Sequence, residues 1–173
     1  MNVINVKKRI NLYNPCHFLA TGFGSGMFPW MPGTIGSLVA IPSWYLLVLL
    51  PWHLYFLAVL FSFFLGVYFC HQTAQDMRIH DHCCIVWDEF VGLWITLIAL
   101  PVNDWRWVLS GFFLFRLLDT WKPWPICWFD RKVYGGIGIM LDDVIAGGIA
   151  AILLYSIGYL LNNRGAFFTS VIF

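Results

Sequence analysis

Charge is scarce in this chain of 173 residues. Asp, Glu, Lys and Arg make up 11% of it, against about 25% in ordinary soluble domains. None of the four occurs between Ile10 and Gln75. A water-soluble globule cannot easily hide so long an uncharged, apolar stretch. The formal net charge is +1, so no field of one sign draws the chain to nucleic acid or to an acidic partner. Cysteine lacks a framework: Cys16, Cys70, Cys83, Cys84 and Cys127 are odd in number and irregularly spaced. That argues against a secreted disulfide scaffold, and the thiols are expected to be reduced. Lys7, Lys8 and Arg9 lead into polar, Gly-rich chain, with no small-residue cleavage site after an early apolar core. No cleavable signal peptide is therefore expected. Period-two alternation is missing too, which disfavours a β-barrel.

What the sequence has instead is apolar length. Sixty per cent of the residues are hydrophobic. The reading is one membrane-embedded domain over residues 1–173: an all-α, polytopic integral membrane bundle of about five apolar spans. These are Ile35–Leu50, Leu54–Cys70, Ile85–Leu100, Trp105–Trp121 and Val144–Leu161. A full helical crossing needs roughly 17–25 residues, so one or two are expected to be short, tilted or re-entrant. Tight links at Pro51-Trp52-His53 and Pro101-Val102-Asn103-Asp104 make sequential spans antiparallel neighbours. Backbone in lipid must satisfy its own hydrogen bonds, which favours helices.

Lys and Arg in short loops set the orientation. With the N-terminus in the cytoplasm, Lys7, Lys8, Arg9, Arg78, Lys122, Arg131 and Lys132 lie inside, and Arg106 and Arg164 outside. Trp52, Trp105 and Trp107 then mark the outer interface, and Trp87, Trp121, Trp124 and Trp128 the inner one. The outer links are short and plain. Any chemistry is expected on the cytoplasmic face, at headgroup depth.

Asp88, Glu89, Asp119, Asp142 and Asp143 gather at inner span ends. Ionisable groups near lipid are costly and tend to be functional. Asp88 and Glu89 also suit the dipole of the third span, and Asp142 and Asp143 could cap the fifth. Asp119 resists such a reading, because it falls in the last turn of the fourth span, where a negative charge opposes the dipole. Arg116, Asp119 and Lys122 follow at i, i+3, i+6 on one strip. They are either a surface ladder or a cation-binding carboxylate between two phosphate-binding cations. Pro123 ends that helix. Carboxylates from three spans suit a hard divalent ion such as Mg²⁺, which takes oxygen ligands and substrate phosphate.

Thr21-Gly22-Phe23-Gly24-Ser25-Gly26 and Pro32-Gly33-Thr34-Ile35-Gly36-Ser37 are rich in residues that let backbone N–H groups approach an anion. Thr21, Gly24, Ser25 and Thr34 are the candidate phosphate contacts, with Thr34 as a cap of the first span. A re-entrant turn is the plainer alternative. The spacing fits neither a Rossmann fingerprint nor a Walker A loop. Gly135-Gly136-Ile137-Gly138 is read as a loop folding back before Asp142 and Asp143. His80-Asp81-His82-Cys83-Cys84 lacks the second Cys/His pair of a zinc site. His71, His80 and His82 are candidate acid–base groups or headgroup contacts, and Arg131 a headgroup-attracting cation. The sequence carries no Cys-x5-Arg, no Asp-x-Asp-x-Thr, no Ser-Gly-His with a downstream Arg and His, and no Gly-x-Ser-x-Gly elbow.

From about Leu19 to Leu160 the chain resembles the phosphatidylglycerophosphatase A family, bacterial inner-membrane lipid phosphatases. The resemblance is carried in order by Leu19–Gly26, Pro32-Gly33-Thr34, His71-Gln72-Thr73-Ala74 and His80-Asp81-His82. It continues through Ile85–Phe90, Phe115–Asp119, Trp121–Pro125, Trp128–Arg131 and Gly138–Asp143. Cys83-Cys84 and the tail after Asn162 depart from it. The resemblance implies Mg²⁺-dependent hydrolysis of phosphatidylglycerophosphate to phosphatidylglycerol and phosphate. It also implies a multi-pass protein of the bacterial cytoplasmic membrane, with no nucleic-acid partner and an oligomeric state left open.

On this reading Asp88, Glu89, Asp119, Asp142 and Asp143 hold metal. Arg116 and Lys122 bind the terminal phosphate, and Asp119 and Asp88 join them as catalytic residues. Attack comes either from water or from a carboxylate such as that of Asp119. A small transporter or channel-like bundle with an acidic ion site is the rival. It predicts acids near mid-membrane rather than gathered at one end.

Overall fold

The computed structural model describes residues 9–79 and 82–163, and every regular element among them is helical. Lys7, Lys8, His80, Asp81 and Arg164, which entered the sequence reading, lie outside the described residues. The helices are α1 (Pro15–Ala20), α2 (Pro32–Leu47), α3 (Trp52–Met77), α4 (Trp87–Leu97), α5 (Trp105–Trp121), α6 (Ile126–Lys132) and α7 (Gly135–Asn163), with one 3₁₀ turn at Ser25–Met27.

Local chemistry sets their ends. Asn14 caps α1 by accepting from the Cys16 N–H at 3.0 Å, with Pro15 opening the helix. Pro32 opens α2 after Met31 in the left-handed region. Asp104 caps α5 from an extended backbone. At its other end Lys122 takes φ 43°, and Pro123 cannot continue the helix.

Two helices, Trp52–Met77 and Gly135–Leu161, are long and apolar enough to cross a membrane. Only 22% and 28% of their most apolar stretches are buried within the chain, unlike the core helix of a soluble protein. Phe56, Leu57, Phe61, Phe64 and Tyr68 of α3 and Ile152, Tyr155 and Tyr159 of α7 face outward. Of the other three expected spans, Trp105–Trp121 is α5 with the same bounds, α2 keeps the expected length of 16 residues but starts earlier, and α4 shrinks to 11. At 1.5 Å per residue, α4 covers about 16 Å, half of the roughly 30 Å hydrocarbon layer.

Helix α4 is the centre of the bundle. Ten of its residues are buried, Ile95 being the exception, and α2, α3, α5 and α7 all pack on it. A Cβ on Gly147 of α7 would collide with the Gly92 carbonyl of α4, so the two backbones touch. Glycine is required there because no side chain fits between them.

The sequence reading is corrected at two points. Gly135-Gly136-Ile137-Gly138 is not a loop but the first turn of α7. Gly136 lies against the Val67 carbonyl and His71 of α3, where any Cβ would clash; Gly135 takes φ 77° as the chain turns into the helix. Asp142 and Asp143 consequently lie two turns inside α7 and cap nothing. Trp87 and Trp107, expected at membrane interfaces, are buried. The indole of Trp87 donates to the Ser62 carbonyl and stacks on Phe90. Trp52, Trp105, Trp121 and Trp124 are exposed, as an interfacial belt requires.

Candidate active site

The antiparallel course of the helices brings the N-terminal turn of α4, the C-terminal turn of α5 and the second and third turns of α7 to one end of the bundle. Asp88 and Glu89 come from the first, Arg116 and Asp119 from the second, and Asp142 and Asp143 from the third. Asp88, Glu89, Asp142 and Asp143 are all buried.

The charges form one connected chain. Arg116 Nη1 lies 2.7 Å from Asp119 Oδ2 and 3.2 Å from Glu89 Oε1. Asp119 in turn reaches Asp143 within hydrogen-bonding range, and Asp143 also feels the charges of Asp88 and Asp142. Lys122 Nζ closes the chain at 2.6 Å from Asp142 Oδ2 and 2.6 Å from Asp130 Oδ1. Burial alone would make the Lys122 ammonium easier to deprotonate. The charges of Asp142 and Asp130 and their hydrogen bonds outweigh that and hold it above its ordinary value of 10.5.

Six carboxylates, Asp130 at the rim included, thus face two cations. Oδ2 of Asp143 is buried with no hydrogen-bond partner. Like charges gathered this closely repel one another, and a bound cation would offset that repulsion. An all-oxygen, net-negative donor set with an unsatisfied buried oxygen fits a hard divalent ion such as Mg²⁺. Arg116 Nε is likewise buried without a partner.

The N-terminal part of α2 shapes the Glu89 side. A Cβ on Gly33 would collide with Glu89 Oε1, and one on Gly36 would come within 2.9 Å of Oε2. Ser37 accepts from Arg116 Nη1 at 3.4 Å and donates to the Gly33 carbonyl at 2.9 Å. Sequence reasoning singled out neither Ser37 nor Asp130. A serine four residues past a glycine in an apolar helix carries no local signal of an arginine in another helix. Asp130 stands eight residues after Lys122, beyond the i+3 and i+4 spacings that announce a pair.

The remaining candidates are placed elsewhere or do other work. The Thr21 hydroxyl is fully buried and donates to the His17 carbonyl at 2.7 Å; Ser25 Oγ turns to the Thr21 carbonyl at 3.4 Å. Gly24 adopts φ 88° in the turn between them and the 3₁₀ segment. Gly22 packs on Phe90 and Val86, and Gly26 on the Cys84 carbonyl. Gly22 and Gly26 let the segment press against the start of α4. Thr34 sits within the first turn of α2 and does not cap it; Met31 holds the cap position without a side-chain bond.

His71 is exposed on α3 and pairs with Gln75 at 3.0 Å. Arg131 is exposed on α6. His82 is buried, and its Nδ1 accepts from the Cys84 N–H at 3.2 Å. The donor atoms of His82, Cys83 and Cys84 lie within 4.8 Å of one another. A further pair, His17 Nε2 with Asp76 Oδ2 at 2.9 Å, ties α1 to α3.

Known proteins share much of this sequence. Phosphatidylglycerophosphatase A of Escherichia coli strain K12 is 63% identical over 153 residues, 88% of this chain and 89% of that protein. Phosphatidylglycerophosphatase A of Haemophilus influenzae is 48% identical over 156 residues, 90% of this chain and 96% of that protein. A Bacteroides thetaiotaomicron protein with the provisional name phosphatidylinositol-3-phosphatase is 42% identical over 147 residues, 79% of this chain and 89% of that protein. No solved structure matches the chain significantly. The phosphatidylglycerophosphatase A family model matches residues 18–157, a range that holds all of the clustered charges, and the chain belongs to that family.

Proposed function

We propose that this protein hydrolyses the terminal phosphate monoester of phosphatidylglycerophosphate, releasing phosphatidylglycerol and phosphate. The observation that carries the reading is the convergence of Asp88, Asp119, Asp142 and Asp143 with Arg116 at one end of an apolar bundle. A phosphate on a lipid headgroup reaches such a site while the tails stay in the bilayer. The names of the two more similar relatives support the same substrate.

Asp88, Asp119, Asp142 and Asp143 would hold Mg²⁺, with Glu89 beside them. Bound there, the ion supplies Lewis-acid polarisation of the phosphoryl group and lowers the pKa of a water. The chain's own residues do the rest. Arg116 offers its guanidinium to phosphoryl oxygens, where it offsets developing charge. Glu89 and Asp119 hold it in place through two ion pairs. Lys122, 28% exposed at the rim, presents a second cation to the incoming headgroup. Buried, apolar surroundings strengthen both effects by excluding water.

Two long apolar helices support residence in a membrane. The distribution of Lys and Arg favours the cytoplasmic membrane, with several crossings and the acidic end facing the cytoplasm. The test is phosphate release by purified protein from phosphatidylglycerophosphate, with Mg²⁺ and with EDTA. The reading expects release that EDTA abolishes and Mg²⁺ restores. Release indifferent to metal, or none, overturns it.

A further inference from the structure

A groove with an entirely apolar lining, about 340 Å³, opens between α3, α4 and α7. Tyr55, Val59 and Phe63 form one wall, Ile95 and Ile98 the other, and Val144 the end. Its volume lies in the roughly 300–1,000 Å³ range of ligand sites. Three relationships indicate what it holds. First, Val144 directly follows Asp143 in α7, so the groove begins beside the carboxylate cluster. Second, Phe63 to Tyr55 spans eight residues of α3, about 12 Å along the helix axis. The course runs away from the acidic end, because α3 is antiparallel to α4: Ser62 meets Trp87 and Tyr55 meets Trp94. Third, the groove opens sideways, past Phe56 and Ile98, which are exposed on the outward face.

We infer that this groove seats one acyl chain of the phospholipid whose phosphate sits at the carboxylates, entering laterally from the bilayer between α3 and α4. The inference rests on the lipid-phosphatase reading and deepens it. A lipid anchored by its headgroup must hang its tail along the helices toward the bilayer centre, and the groove follows that direction from the acidic end. The lining offers no polar group that a peptide or a soluble headgroup would use. Tyr55 is the one residue of the lining with a hydroxyl, and it donates that hydroxyl to the Trp94 carbonyl at 2.6 Å. Chain length beyond the groove's reach adds no contact, so the groove sets a selectivity for acyl length.

The test compares dihexanoyl with dipalmitoyl phosphatidylglycerophosphate in mixed micelles containing Mg²⁺. It uses the intact protein, Leu60→Trp at the groove mouth, Val59→Phe within it, and Phe113→Leu on the outward face of α5 as a control. The groove variants should raise the long-chain KM roughly tenfold more than the short-chain KM, as expected for displacing about two methylenes from apolar surface. The control should leave that ratio unchanged. A dipalmitoyl phosphatidylglycerol bearing a diazirine at mid-chain should crosslink within residues 55–63 or 95–98, with labelling reduced by Leu60→Trp. Equal effects on both substrates, or crosslinking elsewhere, overturn the inference. So does a change in oligomeric state with the ratio intact, because a second copy would then be the occupant. If neither substrate is hydrolysed by the intact protein, the enzymatic reading fails, while the crosslinking still reports on the groove.

Discussion

Lys122 Nζ stands 2.6 Å from Asp142 Oδ2, joining the end of α5 to the interior of α7. Asp142 is buried, so the lysine neutralises a charge that lipid or protein alone would not tolerate. Lys122→Met removes the charge-assisted hydrogen bonds and should destabilise the fold by about 1.5–3 kcal/mol. Adding Asp142→Asn should recover most of that, as a double-mutant cycle for a direct pair requires. The ammonium titrates above 10.5 in the folded protein. Its stabilisation is therefore complete below about 10.5 and declines as pH rises beyond it. Thermal unfolding in detergent between pH 7 and 11 checks both. A constant difference between the intact protein and Lys122→Met across the whole range would remove the linkage.

Asp143 lies within the field of Asp88, Asp119 and Asp142, and its Oδ2 is buried without a hydrogen bond. Replacing it by Asn removes one of several repelling charges. In EDTA, Asp143→Asn should unfold at a higher temperature than the intact protein. Added Mg²⁺ should stabilise the intact protein, by about 2.7 kcal/mol at a hundredfold excess over its dissociation constant, and the variant much less. Activity should fall at least about a hundredfold. Equal Mg²⁺ stabilisation of the two proteins would take Asp143 out of the ion site.

Adjacent glycines in α7 should answer oppositely to alanine. A Cβ at Gly147 collides with the Gly92 carbonyl, whereas one at Gly148 meets nothing within 4 Å. Gly147→Ala should force α7 off α4 and destabilise by about 1–3 kcal/mol. Because α7 carries Asp142 and Asp143, phosphate release should drop with it. Gly148→Ala should stabilise by up to about 1 kcal/mol through helix propensity. Unfolding temperature and turnover of the two variants decide it, and similar behaviour would mean that α4 and α7 do not touch at Gly147.

The acids were legible in the sequence because their scarcity made each one conspicuous. Asp88 and Glu89 open an apolar run, and Asp119 sits where the helix dipole opposes it. The resemblance to a lipid phosphatase family rested on an ordered series of short motifs. What misled was glycine. In a chain that must press helices together without a large hydrophobic driving force between them, Gly136 marks a helix contact, though the run around it looks like a loop. The same ambiguity affects Gly22, Gly26, Gly33 and Gly36: the residue type suits an anion cradle or a tight turn, and an added Cβ at each would meet Cys84, Val86, Glu89 or Phe90. Asp130, Ser37 and the His17–Asp76 pair depend on tertiary placement. Helix lengths were misjudged where hydropathy ran past a helix end, as at Ile85 and Leu100.

The side of the site formed by α2 gives the sharpest discrimination between packing and chemistry. Gly33 leaves room for Glu89 Oε1, and its missing Cβ also clears Arg116 Nη2 by 3.0 Å. In an exposed helix Gly33→Ala would be favourable by about 1 kcal/mol. Here the new methyl group must push Glu89 aside, and Glu89 holds Arg116 at 3.2 Å. The expected result is an unfolding temperature within a few degrees of the intact protein, together with a large loss of turnover. Displacing a phosphate-binding group by about 1 Å costs on the order of a hundredfold. Gly33→Ala combined with Glu89→Gln should not be slower than Glu89→Gln alone, because both act through one carboxylate. Full activity in Gly33→Ala would show that Glu89 does not set the position of Arg116.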